Sequence, residues 1–232
     1  MHPRCIGHKE ALHPQLQNKL DTETKTRWVD PAQDSSACSL FIIPKYDKPN
    51  KARFLHNLIE RNPITCKDHM VILDMYNIVN TVAWYPFRSQ LDHTDGYQNI
   101  LMEPDSEQFT SFYTLFGTDK MKVMQHGDCN VPATFMKLIN SIFTDMIERN
   151  VYVYLDDILI FDHTMEQHIA SIKEVCKQLH ENNLFRNKSK TMILPDAISI
   201  LGHTITLQGL SAEPDKILQV NNWKRPNTQK KL

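Results

Sequence analysis

The sequence predicts an α+β fold, and three observations carry that prediction. Strand-like and helix-like segments follow one another without the regular β–α–β alternation that builds a parallel sheet. Two β-rich runs, Val151 to Leu155 and Ile158 to Phe161, are separated only by Asp156-Asp157, which is the spacing of an antiparallel hairpin. Two stretches beginning near Pro132 and Thr164 repeat apolar residues at three- and four-residue intervals, the period of a helix with one buried face. Composition agrees: 41% hydrophobic and 23% charged residues among 232 suffice for a core and are too apolar for a disordered chain. No apolar run reaches the roughly 20 residues of a membrane span, and the N-terminus lacks the apolar centre of a signal peptide, so a membrane partner is not expected. Five cysteines without paired spacing fit a reducing, intracellular compartment. A net charge of -1 means that any nucleic-acid site must come from local clustering of basic residues.

Residues 1–36 are polar, carry Pro3, Pro14 and Pro31, and read as a loosely ordered N-terminal arm. Leu40 to Ile43 is a short buried-strand run ended by Pro44. The turn that follows is built on Asp47, Pro49 and Asn50 and carries Lys45, Lys48, Lys51 and Arg53; Phe54 to Leu58 returns as the second strand of a hairpin with a basic tip. A basic tip is by default a solvated turn. Asp74 to Ala83 is weakly helical, and Pro86 breaks the chain before a short strand, Ser89 to Leu91, that ends at Asp92. Ile100 to Met102 and Phe109 to Leu115 read as strands. In the first clear helix Phe135, Leu138, Ile139, Ile142, Phe143, Met146 and Ile147 form a single core-facing stripe, with Pro132 suited to the first turn. In the second, Thr164 and Gln167 have capping-box spacing, and Ile169, Ile172, Val175, Cys176 and Leu179 share a face. Short strands near Met192–Leu194 and Ile198–Ile205 follow, with Gly202 and Gly209 at turns.

The paired carboxylates need a reason. Asp favours turns, yet a two-residue hairpin wants Gly or Asn at positive φ and none is present between these strands. Adjacent carboxylates also repel, and apolar strands on both sides partly desolvate them. A divalent cation relieves that repulsion, since hard oxygen ligands bind Mg²⁺ well. On the pair alone the turn and the metal readings are evenly balanced. Asp92, at a strand end and followed by Asp95, Gly96 and Tyr97, shifts the balance: three such carboxylates can hold two cations about 3.5–4 Å apart for phosphoryl transfer. The bland alternatives are a solvated strand end for Asp92 and a helix cap for Asp95. His2, Cys5 and His8 lack a fourth zinc ligand, and no local signature supports a Ser/His/Asp nucleophile.

Five segments in order resemble the motifs of a known family. YLDD (154–157) resembles the Tyr-x-Asp-Asp box of reverse transcriptases, and QLDHTDGYQNI (90–100) their first carboxylate motif. HGDCNVPATF (126–135) is similar to their template- and nucleotide-contacting motif, FIIPKYDKPNKARFLHNLIERN (41–62) to the fingers hairpin, and LGHTITLQGL (201–210) to the primer-grip hairpin. The pattern, over roughly 40–210, resembles the gypsy-type LTR-retrotransposon polymerase in the versions found in fungi. The resemblance implies a right-hand polymerase palm, an antiparallel sheet backed by helices, with a fingers subdomain and a truncated thumb. It assigns 37–67 and 100–130 to fingers, 68–99 and 131–206 to palm, and 207–232 to the end of the primer grip and the start of the thumb.

Carried over position by position, the resemblance implies Asp92, Asp156 and Asp157 as catalytic metal ligands, joined by the His93 backbone carbonyl. Lys45 and Arg53 fall where the family grips the triphosphate, a task suited to Arg's planar fork. Asp95, Gly96, His126 and Gly127 fall in the nucleotide pocket, and Tyr97 where an aromatic gate excludes a 2′-hydroxyl. Lys190 matches a lysine that protonates the departing pyrophosphate; Tyr154, Leu201, Gly202 and His203 lie by the primer. The implied cofactor is Mg²⁺, with Mn²⁺ as a substitute. The implied partners are dNTPs and an RNA or DNA template with its primer, with the oligomeric state left open. The implied place is the cytoplasm or nucleus, or a retroelement particle if the chain is part of a longer polyprotein. Departures from the common pattern include His93, His126, Thr191, and Asp128 in place of a common Leu. Basic residues cluster at Arg186, Lys188 and Lys190 and at Lys224, Arg225, Lys230 and Lys231. The chain stops at Leu232, before a thumb, so a non-catalytic remnant that folds and binds nucleic acid weakly is the alternative reading. An RNA-making palm polymerase is disfavoured by Tyr97.

Overall fold

The computed structural model of the chain describes residues 13–26, 28–33, 37–45, 48–70, 74–92, 96–184 and 190–223. In chain order the elements are α1 (His13–Lys25), β1 (Val29–Pro31), β2 (Cys38–Lys45), β3 (Lys48–His56), α2 (Met75–Trp84), β4 (Phe87–Asp92), β5 (Phe112–Tyr113), β6 (Thr118–Met121), α3 (Val131–Ile142), β7 (Val151–Tyr154), β8 (Asp157–Asp162), α4 (Met165–Glu181), β9 (Met192–Ile193), β10 (Ala197–Ile200), β11 (His203–Thr206), β12 (Gly209–Ala212) and α5 (Pro214–Asn221). The chain divides into two compact units, one of residues 1–70, 94–139 and 183–185, the other of 71–93, 140–182 and 186–232. Mixed helices and mostly antiparallel sheets make this the α+β class read from the sequence.

The first unit holds a five-stranded sheet of order β1-β6-β5-β2-β3. The N-terminal arm is corrected here: its described part forms α1 and β1. Leu16 and Leu20, one turn apart, are buried with Val29, Leu40, Phe112, Met121 and Val123. Two leucines in polar surroundings are too sparse to show as periodicity, and only the sheet completes the apolar surface they join. β2 runs on through Pro44, with a register shift between Pro44 and Lys45. Past Ser39, among the described residues, β2 is registered only against β3, so the missing proline N–H is tolerated. Of the strands expected at 100–102 and 109–115, Leu101 makes a single bridge to Val123 and only Phe112–Tyr113 is a strand. Pro104 at the first helical position instead starts a 3₁₀ turn, Pro104–Thr110.

The second unit carries a four-stranded antiparallel sheet of order β7-β8-β4-β9 and a three-stranded sheet β10-β11-β12. Leu159 and Phe161 of β8 pack with Ile78, Val79 and Val82 of α2 and with Ile198, Ile200 and Ile205. Asp74 caps α2 by accepting from the Tyr76 N–H at 3.1 Å. Thr164 caps α4 through the Gln167 N–H at 3.3 Å, as the T-x-x-Q spacing predicts. The buried face of α4 is rotated from the expected one. It presents His168, Ser171, Val175 and Leu179, while Ile169 is exposed, because Asp162 on β8 satisfies both polar side chains. The stripe of α3 ends early as helix, at Ile142: Thr144 bonds the carbonyls of Asn140 and Ser141, and Glu148 turns at φ 64° toward β7.

Candidate active site

The carboxylates meet because of register. The β7–β8 turn is Leu155-Asp156, one residue earlier than expected, since Tyr154 pairs directly with Asp157. Leu155 supplies the positive φ, 51°, that the sequence lacked a Gly or Asn to provide. That conformation costs an L-residue roughly 1–2 kcal/mol. Asp157 is therefore the first residue of β8, and on its other side it lies directly opposite Asp92 of β4. Tyr154, Asp157 and Asp92 form a row across three strands, with Asp156 at the turn beside them. Like charges directly opposite each other destabilise a sheet.

The electrostatics record that strain. Burial, then the charges of Asp157 and Asp92, push the Asp156 carboxyl above the usual carboxylate range, partly offset by Lys190. Asp157 is pushed up by burial and by Asp92, against the opposing pull of a hydrogen bond from Gln90 and of Lys190. Lys190 Nζ lies 3.2 and 3.1 Å from the two Asp92 carboxylate oxygens. Gln90 Nε2 donates to Asp157 Oδ1 at 3.0 Å. Among the described residues no three His, Cys, Asp or Glu side chains close around a point where an ion would sit. The donor set nevertheless fits a hard divalent cation: it is all carboxylate, Asp156 and Asp157 are held partly against ionisation, and a lysine ammonium already stands as the cation on Asp92.

The positions that the family pattern assigns to the primer belong to the same unit. Tyr154 packs on the core beneath the sheet. Leu201 and Gly202, at φ 53° and 78°, make the two-residue turn from Ile200 to His203. A Cβ at Gly202 would meet the Lys216 side chain at 1.7 Å.

The first unit gathers a second group. Gly96, Tyr97 and Gln98 lie in a 3₁₀ turn, with Gly96 and Gln98 buried. The Tyr97 ring meets His126 edge-on at 5.4 Å and Phe135 at 5.3 Å. Gly127, at φ 112°, has the His56 carbonyl 2.7 Å from where a Cβ would stand, so only glycine fits. Asp128, read as a departure from the pattern, has a partner: Arg61 Nη2 lies 2.7 Å from its Oδ2. Asn62 donates to the Gly127 carbonyl at 2.9 Å and accepts from the Cys129 N–H at 3.2 Å, tying the 126–130 segment to the chain beyond β3. Lys45 ends β2 opposite Lys48, and Arg53 of β3 pairs with Ile43; their side chains lie outside the described residues. His93 and Asp95 lie outside them too, as do His2, Cys5, His8, Arg186, Lys188, Lys224, Arg225, Lys230 and Lys231.

Gln90 and Arg61 lie inside the 90–100 and 41–62 motifs, but the motifs assign neither a role; the one available signal is that two-residue alternation puts Gln90 on the strand face of Asp92. A Ser–His–Asp chain also assembles without a local signature. Ser89 Oγ lies 2.8 Å from His168 Nε2, and His168 Nδ1 2.8 Å from Asp162 Oδ2. Ser89 and His168 are both 0% exposed, so no substrate reaches them and the chain is structural.

A hairpin that offers two aspartates beside a third at a strand end, on an antiparallel sheet backed by helices, defines the class as a right-hand polymerase palm with its fingers. Residues 45–205 match the family "Reverse transcriptase (RNA-dependent DNA polymerase)", and the chain belongs to that family. Relatives are retrotransposon polyproteins, in keeping with the gypsy-type resemblance. The chain is 26% identical over 95% of its length to the "Retrovirus-related Pol polyprotein from transposon opus" of Drosophila melanogaster, covering 22% of that protein. It is 29% identical over 83% of its length to that from transposon 297 of the same fly, covering 18%. It is 24% identical over 100% of its length to the "Transposon Tf2-3 polyprotein" of Schizosaccharomyces pombe, covering 17%. The chain thus spans about a fifth of these curated relatives. Among solved structures it is similar to the foamy viral protease-reverse transcriptase dRH in complex with double-stranded DNA. The TM-score is 0.91 at 20% identity, over 99% of this chain and 40% of that one. The same enzyme with an RNA/DNA hybrid gives 0.87, over 99% of this chain and 30% of that one.

Proposed function

We propose that the chain is an RNA-directed DNA polymerase domain, transferring a nucleotide from a dNTP to a primer 3′-hydroxyl by a two-metal mechanism. One observation carries this reading: Asp92 and Asp157 stand directly opposite each other in register, with Asp156 at the adjoining turn. Such a placement costs stability and is accounted for by cation binding. Asp92, Asp156 and Asp157 would hold Mg²⁺, with Mn²⁺ as a substitute and the His93 carbonyl as a further ligand. The bound cations supply the charge that neutralises the triphosphate and activates the hydroxyl.

The chain's own residues do the rest. Tyr97, braced by His126 and Phe135, would be the ring that excludes a 2′-hydroxyl. Gly127 would keep the backbone open beside the nucleotide, with Gly96, Asp95 and His126 assigned to the same pocket by the family pattern and Lys45 and Arg53 to its phosphates. Lys190, which rests on Asp92, would deliver a proton from its ammonium to the departing pyrophosphate. Tyr154, Leu201, Gly202 and His203 support the primer end. On this reading the fingers, 37–67 and 100–130, would fall in the first unit, and most of the palm, 68–99 and 131–206, in the second. An RNA or DNA template with its primer is the partner, supported by the foamy viral enzyme's complexes with double-stranded DNA and an RNA/DNA hybrid. Retrotransposon relatives support action inside the cell, in the cytoplasm, the nucleus or a retroelement particle. No helix among the described residues is long and apolar enough to cross a membrane.

The test is Mg²⁺-dependent extension of oligo(dT) on poly(rA), present in the native chain and lost on Asp156→Asn. Full extension by that variant refutes the residue assignment. Salt-sensitive template binding without incorporation refutes the polymerase reading and leaves a nucleic-acid-binding domain.

A further inference from the structure

Gln90 lies two residues before Asp92 on β4, and strand alternation puts both side chains on one face. It is 7% exposed. Its amide nitrogen donates to Asp157 Oδ1 at 3.0 Å. Its amide oxygen is buried and meets no hydrogen-bond donor among the described residues. Turning the amide over would not help, because its oxygen would then face the Asp157 carboxylate. A buried acceptor left unpaired costs free energy that a Leu or Met of similar size would avoid. What the position gains in return is one charge-assisted donor aimed at Asp157.

We propose that Gln90 is a positioning residue for the metal site: it holds Asp157 Oδ1 and presets the carboxylate so that Oδ2 is the oxygen offered to a divalent cation. This rests on the metal reading of the carboxylates made above. Groups that hold metal ligands in place are worth roughly 10–100-fold in metal affinity. A purely structural Gln90 would behave differently, since removing it would shift stability and leave metal affinity alone. Here the two readouts move apart. Gln90→Leu relieves the unpaired oxygen and holds or raises the metal-free Tm, while it loosens Asp157 and weakens metal binding.

The experiment is a titration of the native chain with Mn²⁺ alone, free Mn²⁺ being counted by electron paramagnetic resonance, with metal-free Tm measured in parallel. Gln90→Met, closer in shape, serves where Gln90→Leu fails to fold, and Asp157→Asn is the control. The expected result is Mn²⁺ affinity lower by about tenfold or more in the Gln90 variant, with Tm unchanged or higher. Unchanged Mn²⁺ affinity in a folded Gln90 variant, while Asp157→Asn loses it, overturns the role of Gln90 alone. Affinity unaltered by Asp157→Asn overturns the metal reading, and the proposal with it. A drop in Tm of several degrees with unchanged affinity assigns Gln90 to packing.

Discussion

The two faces of the β4–β8 pair carry two polar clusters of opposite character. On the face toward α4, Asp162 accepts from Ser171 at 2.9 Å and pairs with His168, whose other ring nitrogen meets Ser89. Ser89 also accepts from the Leu194 N–H at 3.1 Å, and Ser171 from Asn150 at 2.7 Å. On the opposite face Asp92 and Asp157 confront each other, both carboxyls of the Asp156–Asp157 pair are pushed up, and the Gln90 oxygen has no donor among the described residues. The satisfied cluster has the outline of a hydrolase triad and is sealed in the interior. The strained cluster has no familiar outline and lies at a partly open strand end. Hydrogen-bond satisfaction is the pattern of a group that holds the fold together; carboxylates crowded together and only partly offset, here by Lys190 and Gln90, are the pattern expected of a ligand site.

The largest effect expected is on the strained face. Asp156→Asn should lower primer extension by about 10³-fold or more, the scale set by losing several kcal/mol of charge stabilisation. The same change should raise the metal-free Tm at neutral pH. The sign follows from linkage: a carboxyl raised in the folded state resists ionising there, so the native chain loses stability as pH rises through that raised value. The advantage of Asn should vanish below the unfolded carboxylate value of about 4. An Asn variant less stable at pH 7 would break the contrast between the faces.

Next comes the satisfied face. His168→Ala leaves the Asp162 carboxylate buried with one partner fewer and should cost about 3–5 kcal/mol in urea unfolding. A loss under about 1 kcal/mol would show that the cluster is not the anchor of α4 that its bonds suggest.

A buried histidine in the first unit offers a smaller test. His56 is held neutral by burial, down to about 3, and neither ring nitrogen has a hydrogen-bond partner among the described residues. The unfolded chain binds a proton there below about 6.5, so stability should fall as pH drops from 6.5 toward 3. His56→Leu should flatten that slope, which urea midpoints at pH 4 and 7 would report. The smallest effect expected is at α1, where buried Glu23 pairs with Lys19 at 2.5 Å and accepts from Gln98, next to Tyr97, at 3.2 Å. Glu23→Ala should cost about 1–3 kcal/mol by stranding the buried Gln98 amide. Replacing Tyr97 itself with Ala should raise ribonucleotide use, measured as the ratio of rNTP to dNTP incorporation; an unchanged ratio removes the gate.

Much of this was legible in the chain itself. Short-range chemistry placed the Asp156-Asp157 hairpin, the Thr164 cap, the α3 stripe and the turn at Gly202, because each depends on residues a few positions apart. The family motifs named the carboxylates for the same reason. What the sequence could not state is register. A shift of one residue moves Asp157 out of the turn into the strand, and that puts it directly opposite Asp92. Nor could it show that Leu16 and Leu20 of a polar arm find a sheet to cover, that Arg61 answers Asp128 from 67 positions away, or that Ser89, His168 and Asp162 join. Those contacts are set by strand pairing and packing between distant segments, whose energies no local pattern contains. The sequence by itself singled out the aspartates; the tertiary structure decided which polar groups find partners and which carboxylates face each other, because pairing between distant strands is not a local property.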